Sequence, residues 1–251
     1  MGEVGAHFAH LFSGHATTYA AFRPRYPDAL YDWLLANAPQ REQAWDVGTG
    51  NGQVALALAE RCERVMATDP SAEQLAAAPA HPRVTYREAT YDSGLPDASV
   101  GLVTVGQALH WFDLPQFFAE VRRVMAPGGL FAAFAYVHSS VDTTLDRVTR
   151  HYHDVTCDAY WAPEHHLIRS EYRTLDLPIV EIPAPQMFVE ATMTLAQYAG
   201  FFRSWSATQR LLRAEGEAPV LAFERELAAA WGDDVPRLVR WPLIVRAGQL
   251  A

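Results

Sequence analysis

The residues in this sequence best suited to chemistry are two carboxylates set around a run of glycines. Asp46 stands two positions before Gly48, the first glycine of Gly48-Thr49-Gly50-Asn51-Gly52, and Asp69 closes the next apolar run. Glycines let a chain turn sharply into a helix and let a ligand approach the backbone closely. Such a turn alone is shared by several kinds of nucleotide-binding fold. The spacing here is G-x-G-x-G, not the G-x-G-x-x-G that cradles a dinucleotide pyrophosphate. A carboxylate at Asp46 suits a ligand with a free ammonium and no phosphate, which describes S-adenosylmethionine (SAM) and not NAD. Asp69, at a strand end, can accept both hydroxyls of a ribose. NAD-binding proteins place an acid similarly, so Asp69 alone does not separate the two carriers. The bland alternatives are a strand-end hydrogen bond for Asp46 and, with Pro70 and Ser71 following, a helix-start aspartate for Asp69.

The elements that must position these groups follow from hydrophobic patterning. Gln43–Val47 is a short apolar run leading into the glycine turn, and the Ala- and Leu-rich stretch from Gln53 to Arg61 is helical. Arg64–Thr68 reads as the next strand, with Ser71 capping a helix that Pro79 stops. Arg83–Tyr86 and Ser99–Gly106 are further strands, and Asp113 caps a helix through Phe117, Val121 and Val124. Pro127-Gly128-Gly129 is expected to be a turn before a strand at Leu130–Val137. Alternation of this kind calls for a parallel sheet with helices on both faces, whose ligands sit at the carboxyl ends of the strands. The glycine turn, Asp69 and the segment after Val105 should therefore share one crevice.

Beyond Val137 the rhythm breaks. Thr194–Trp231 reads as two or three helices, and Val180–Thr192 and Leu238–Val245 have the composition of the last two strands. The expected fold is α/β: a Rossmann-like, seven-stranded, mostly parallel sheet with an inserted helical cap. The core comprises residues 1–139, 178–192 and 236–251, and the cap residues 140–177 and 193–235.

Composition narrows the function. The chain has 251 residues, half of them hydrophobic, and a formal net charge of −9, which argues against a broad phosphate-neutralising surface and so against nucleic acid. Cys62 and Cys157 form no metal or redox motif, which suits a reduced, cytoplasmic setting. Met1–His10 shows no export signal, and no apolar run approaches the roughly 20 residues that span a bilayer. No metal site is expected: His151, His153, His165 and His166 are at spacings that do not converge on a helix, and read as solvated or hydrogen-bonding residues. Monomer and homodimer are both compatible with the sequence.

Asp46-x-Gly-x-Gly-x-Gly52 followed by Asp69-Pro70-Ser71 resembles the first two motifs of class I SAM-dependent methyltransferases. Gln107-Ala108-Leu109-His110-Trp111-Phe112-Asp113 is similar to a segment of a narrower set, the type 11 or trans-aconitate methyltransferase-like family. Phe12-Ser13 with Ala16 and Tyr19, the run Arg23-Pro24-Arg25-Tyr26-Pro27, Ser204-Trp205-Ser206 and Trp241-Pro242-Leu243 resemble the same set. The resemblance implies a SAM-dependent enzyme whose cofactor is held by Tyr19, Arg23, Asp46, Gly48, Thr49, Gly50, Asp69, Pro70, Ala89, Thr90, Gly106 and Gln107. Two positions depart from the family pattern: Thr90, where glutamate is common, and Gly101, where aspartate is usual.

His110 is the candidate general base, with a structural histidine as the alternative. Phe12, Tyr26, His110, Trp111 and Trp205 are candidates to wall the acceptor pocket, although such aromatics also serve as plain core. The expected reaction is methyl transfer to an oxygen or nitrogen of a small molecule, a carboxylic acid among the candidates. Two alternatives are an aromatic or heterocyclic metabolite as acceptor and a catalytically silent SAM-binding regulatory module.

Overall fold

The computed structural model describes residues 24–251; the expectations for Phe12, Tyr19 and Arg23 lie outside the described residues. Strand β1 (Gln43–Val47) is buried along its whole length, as a central strand covered on both faces must be. It is preceded by α1 (Asp28–Asn37) and followed by α2 (Gln53–Ala59), β2 (Arg64–Asp69), α3 (Ala72–Ala76) and β3 (Val84–Glu88). Then come β4 (Val100–Gly106), α4 (Leu114–Val124) and β5 (Met125–Ala135). The expected caps form: Ser71 Oγ accepts from Gln74 N at 3.3 Å, and Asp113 Oδ1 accepts from Gln116 N at 3.2 Å.

Beyond β5 the chain carries α5 (Thr143–His151), α6 (His165–Arg169), β6 (Ile179–Glu181) and β7 (Phe188–Met193). It continues through α7 (Leu195–Arg203), α8 (Ser206–Glu215), α9 (Ala218–Trp231), β8 (Arg237–Pro242) and β9 (Ile244–Leu250). A capping box between Thr194 and Gln197 starts α7.

The main sheet has seven strands in the order β3-β2-β1-β4-β5-β9-β6. Strands β1 to β5 are parallel, and β9 is antiparallel to both β5 and β6. This is a Rossmann-like, mostly parallel sheet, and it turns the carboxyl ends of β1, β2 and β4 toward one edge. One buried cluster covers the α4 face, around Trp45, Phe117, Phe118 and Phe131. The other joins α1 and α2 to the aromatics Tyr152, Tyr198, Phe202 and Trp231 in one continuous core. Within it the Tyr152 and Phe223 rings stack at 3.8 Å. No helix among the described residues is long and apolar enough to cross a membrane.

Two strand expectations are corrected. The segment 180–192 is divided: only Ile179–Glu181 joins the main sheet, while Phe188–Met193 pairs with Arg237–Pro242 in a separate two-stranded ribbon. The second, Leu238–Val245, is likewise divided, between the ribbon strand Arg237–Pro242 and the main-sheet strand Ile244–Leu250; Pro183 and Pro185 break the first segment and Pro242 the second, because proline cannot donate to a ladder. The stretch Pro127-Gly128-Gly129, expected as a turn, lies within the β5 run, where the register against β4 shifts between Val100 and Leu102.

The glycine at position 101 also has a physical reason. A Cβ there would lie 2.6 Å from both the side chain and the carbonyl oxygen of Gln40, whose loop packs directly on β4. Gly101→Asp is therefore expected to lower stability by roughly 3 kcal/mol, from overpacking and from burying a carboxylate. Thermal unfolding checks this; an unchanged midpoint would show that the Gln40 loop yields freely.

Candidate functional site

The two carboxylates meet at one cleft, each fixed by its own short-range hydrogen bonds. At the end of β1 the chain enters the glycine turn, where Gly48 N and Thr49 N both donate to Thr68 O, at 2.8 and 3.0 Å. The turn is thereby tied to β2. Gly50 N donates to Asp69 Oδ2 at 2.8 Å, and Ser71 N donates to Asp69 Oδ1 at 2.8 Å. Asp46 accepts from Thr49 Oγ1 at 2.6 Å on one oxygen and from Thr104 Oγ1 at 2.8 Å on the other. Each carboxylate is 1 % exposed, so its orientation is fixed before any ligand arrives.

Burial dominates the electrostatics. It pushes the Asp46 carboxyl up to about 7, against the opposing pull of the Thr49 and Thr104 hydroxyls and with a further push from the charge of Asp69. It pushes Asp69 up to about 6, opposed by the backbone donors of Ser71 and Gly50. Among the described residues, no cationic side chain is a leading influence on either group. Two desolvated acids beside an open cleft, unpartnered by a cation, form a site whose complement is a ligand with positive charge and hydroxyl donors.

The cleft has a volume of about 650 Å³, and among its lining residues are Tyr26, Asp46, Gly48, Thr49, Gly50, Asp69, Gly106, Gln107 and Trp111. These expected residues are brought together from the carboxyl ends of β1, β2 and β4, with Tyr26 coming from the segment just before α1. Gln107 takes φ +56°, which is rare for a residue with a side chain. It is held there by Gln107 N donating to Phe134 O at 2.9 Å and its side-chain amide donating to Tyr136 O at 3.0 Å.

Tyr136 and Gln74 also line the cleft, although the sequence reading did not single them out. Tyr136 directly follows β5, a strand whose carboxyl end points at the same edge, and that position was the available signal. Gln74 lies in the helix after Asp69, on a face that only packing defines.

Pro70, Ala89, Thr90, His110 and Trp205 do not line this cleft. Ala89 N donates to Asp69 O at 3.1 Å, so that segment backs the ribose candidate from behind. His110 turns inward, with Nδ1 3.1 Å from the Tyr172 hydroxyl. Burial pushes its pKa down to about 3, which leaves a neutral imidazole and a poor proton acceptor at neutral pH. Its partner Tyr172 sits on a reversed turn: Glu171 and Tyr172 have φ of +56° and +58°, and Arg246 hydrogen-bonds the Tyr172 carbonyl. The His110 ring also lies 4.7 Å from Trp111, the neighbour that does reach the cleft. Trp205 lies among Tyr152, His153 and Trp161 in the cap.

The four histidines are of two kinds, solvated and hydrogen-bonding. His151 and His166 are exposed, but His153 is 1 % exposed and its Nε2 lies 3.0 Å from His165 Nε2. Cys157 N donates to Tyr152 O at 2.8 Å, closing one π turn at Tyr152–Thr156.

Comparison with known proteins agrees with this geometry. Residues 45–133 match the family model described as a methyltransferase domain. A protein of Dictyostelium discoideum assigned as a methyltransferase is 31% identical over 224 residues, covering 87% of this chain and 85% of its own. A solved structure described as a type II methyltransferase from Anaeromyxobacter dehalogenans shares 43% identity at a TM-score of 0.86, over 91% of this chain and 98% of that one. Geranyl diphosphate C-methyltransferase from Streptomyces coelicolor, solved with Mg2+, geranyl diphosphate and S-adenosyl-L-homocysteine, shares the fold at a TM-score of 0.50 and 13% identity, over 100% of this chain and 98% of that one.

Proposed function

The chain belongs to the class I SAM-dependent methyltransferases, and from that premise we propose that it methylates an oxygen or nitrogen of a small molecule. The observation that carries the cofactor reading is the pair of buried, cation-free carboxylates at the ends of β1 and β2. Asp46 would face the ammonium of the methionyl portion and Asp69 the ribose hydroxyls, with Gly48, Thr49 and Gly50 forming the floor between them. The residues 140–177 and 193–235 would form the cap over the acceptor, consistent with the cap aromatics sharing the core of α1 and α2.

SAM supplies an electrophilic methyl group on a sulfonium: the acceptor lone pair forms the new bond to carbon as the carbon–sulfur bond breaks, leaving a neutral thioether. The protein's part is alignment and exclusion of water. Tyr26, Trp111 and Tyr136 supply apolar walls, with Arg25 also at the cleft. A carboxylic acid is favoured as acceptor, as in the trans-aconitate methyltransferase-like set, because a carboxylate is already anionic and needs no base. That agrees with a His110 held neutral against Tyr172, where it would position Trp111 and not take up a proton. The aromatic walls support a phenol or heterocycle as the second reading.

Calorimetry with S-adenosylhomocysteine, followed by mass analysis of products from a panel of carboxylic acids, phenols and heterocyclic amines, tests the proposal. Methylation of the acids alone is the expected result. Binding without turnover on any acceptor would favour a regulatory module. The same titration has an expected pH dependence. Both carboxyls titrate above their ordinary range, near 7 and 6, and a cationic, hydroxyl-rich ligand selects their ionised forms. Affinity should fall as pH drops from about 8 to about 6, and binding should release protons, by linkage. Equal affinity across that window, with no buffer-dependent heat, would remove Asp46 and Asp69 from the site.

A further inference from the structure

The cap contains a cluster of side chains that methyl transfer does not use. His138 lies three residues past the end of β5, whereas His153 and Asp154 sit on the π turn at Tyr152–Thr156. One donor atom from each of the three lies within 4.8 Å of the others. His153 Nδ1 is 2.6 Å from Asp154 Oδ1, and His138 Nε2 is 4.0 Å from the same oxygen. We propose that His138, His153 and Asp154 bind a divalent transition metal of the zinc class, which fastens the cap to the end of β5.

The donor set suits that class: two imidazoles and a carboxylate are borderline ligands that select zinc, cobalt or nickel over calcium and magnesium. A tetrahedral ion about 2.0–2.2 Å from each donor holds them roughly 3.3 Å apart, and the observed spacings bracket that value. Entry is open, since the His138 and Asp154 side chains are 29% and 37% exposed, while His153 forms the buried floor at 1%.

Behind the floor stands an orienting partner of the kind metal-bound histidines use. His153 Nε2 meets His165 Nε2 at 3.0 Å, and the His165 ring stacks on Trp161 at 3.8 Å and 8°. With the metal on Nδ1, the proton of His153 moves to Nε2 and is donated to His165. Arg169 occupies the charge position in the metal-free form: Nη2 lies 3.4 Å from Asp154 Oδ1 and Nη1 3.0 Å from Asp158 Oδ1. A bound cation displaces the first contact and leaves the second, so Arg169 competes with the metal.

The test uses the full-length, tag-free protein, stripped with chelator and dialysed, then titrated with Co2+ followed by absorbance and with Zn2+ followed by calorimetry. Saturable, equimolar binding with a tetrahedral cobalt spectrum is expected, together with a rise in melting temperature as metal is added. His138→Ala and Asp154→Asn, both at the accessible rim, should weaken binding by at least about a hundredfold, beyond what losing an outer partner costs. Arg169→Ala should bind as tightly or more tightly. His153→Ala empties a buried position, so the two rim variants keep the test valid should it fail to fold. Absence of saturable uptake by the wild-type protein overturns the proposal, and so does uptake that His138→Ala and Asp154→Asn leave unchanged.

Discussion

Asp69→Ala is expected to lower the affinity for S-adenosylhomocysteine by about a hundredfold. In the proposed site each Asp69 oxygen accepts one backbone N–H, from Gly50 or Ser71, and keeps lone pairs for the ribose hydroxyls. Hydrogen bonds to an ionised group contribute roughly 1.5–3 kcal/mol each, and about 1.4 kcal/mol corresponds to a factor of ten. The loss of two such bonds, partly offset by hydration of the emptied position, leaves a deficit near 3 kcal/mol. Alanine also removes the acceptor that pins Gly50 to β2, so the turn loses a tether as well as a ligand contact. Asp69→Asn separates these effects, because its amide oxygen can still accept from one backbone donor while the charge is gone. Calorimetry on both variants, with circular dichroism to verify folding, checks the expectation. Wild-type affinity in a folded Asp69→Ala protein would end the ribose assignment.

Gly48→Ala is expected to be nearly as severe, through the backbone. Gly48 has φ +68°, and a Cβ there would lie 2.6 Å from the Ala108 Cβ and 3.4 Å from the Phe112 ring. The left-handed conformation alone costs a residue with a side chain roughly 1–2 kcal/mol. Ala108 has no flexible end to swing away and is buried where β4 hands over to Trp111, so the contact is relieved only by moving backbone. Overpacking of that kind costs about 1–3 kcal/mol. The shift falls on the two strand ends that form the cleft, so ligand affinity should fall together with stability. Chemical denaturation and ligand titration of the variant read the two losses. A protein within twofold of wild type in affinity and unchanged in stability would show that the turn does not need its glycine.

What the sequence determined by itself is the local frame. Burial on both faces makes a parallel strand a predominantly apolar run, as in Val100–Gly106, and a short polar side chain before a helix marks its start, as at Ser71 and Asp113. The convergence of Asp46 and Asp69 was legible because alternating strands and helices put successive strand ends at one edge. The same reasoning failed where local composition competed with proline: the residues 180–192 look like one strand, and Pro183 with Pro185 sends its halves to different sheets.

Tertiary structure decided the contacts between residues far apart in the chain. His110 meets Tyr172, 62 positions away, a contact that fits the structural histidine that was the alternative to a general base. Gln40 crosses Gly101 so closely that the aspartate usual there has no room. His153 and His165, 12 residues apart, come within hydrogen-bonding distance because the chain between the π turn and α6 brings these two separate elements together. The physical reason is common to all three. Side-chain periodicity and caps act over one or two turns of chain and are written in neighbouring residues, whereas the meeting of distant groups depends on how loops close and layers pack, which no short window of sequence contains.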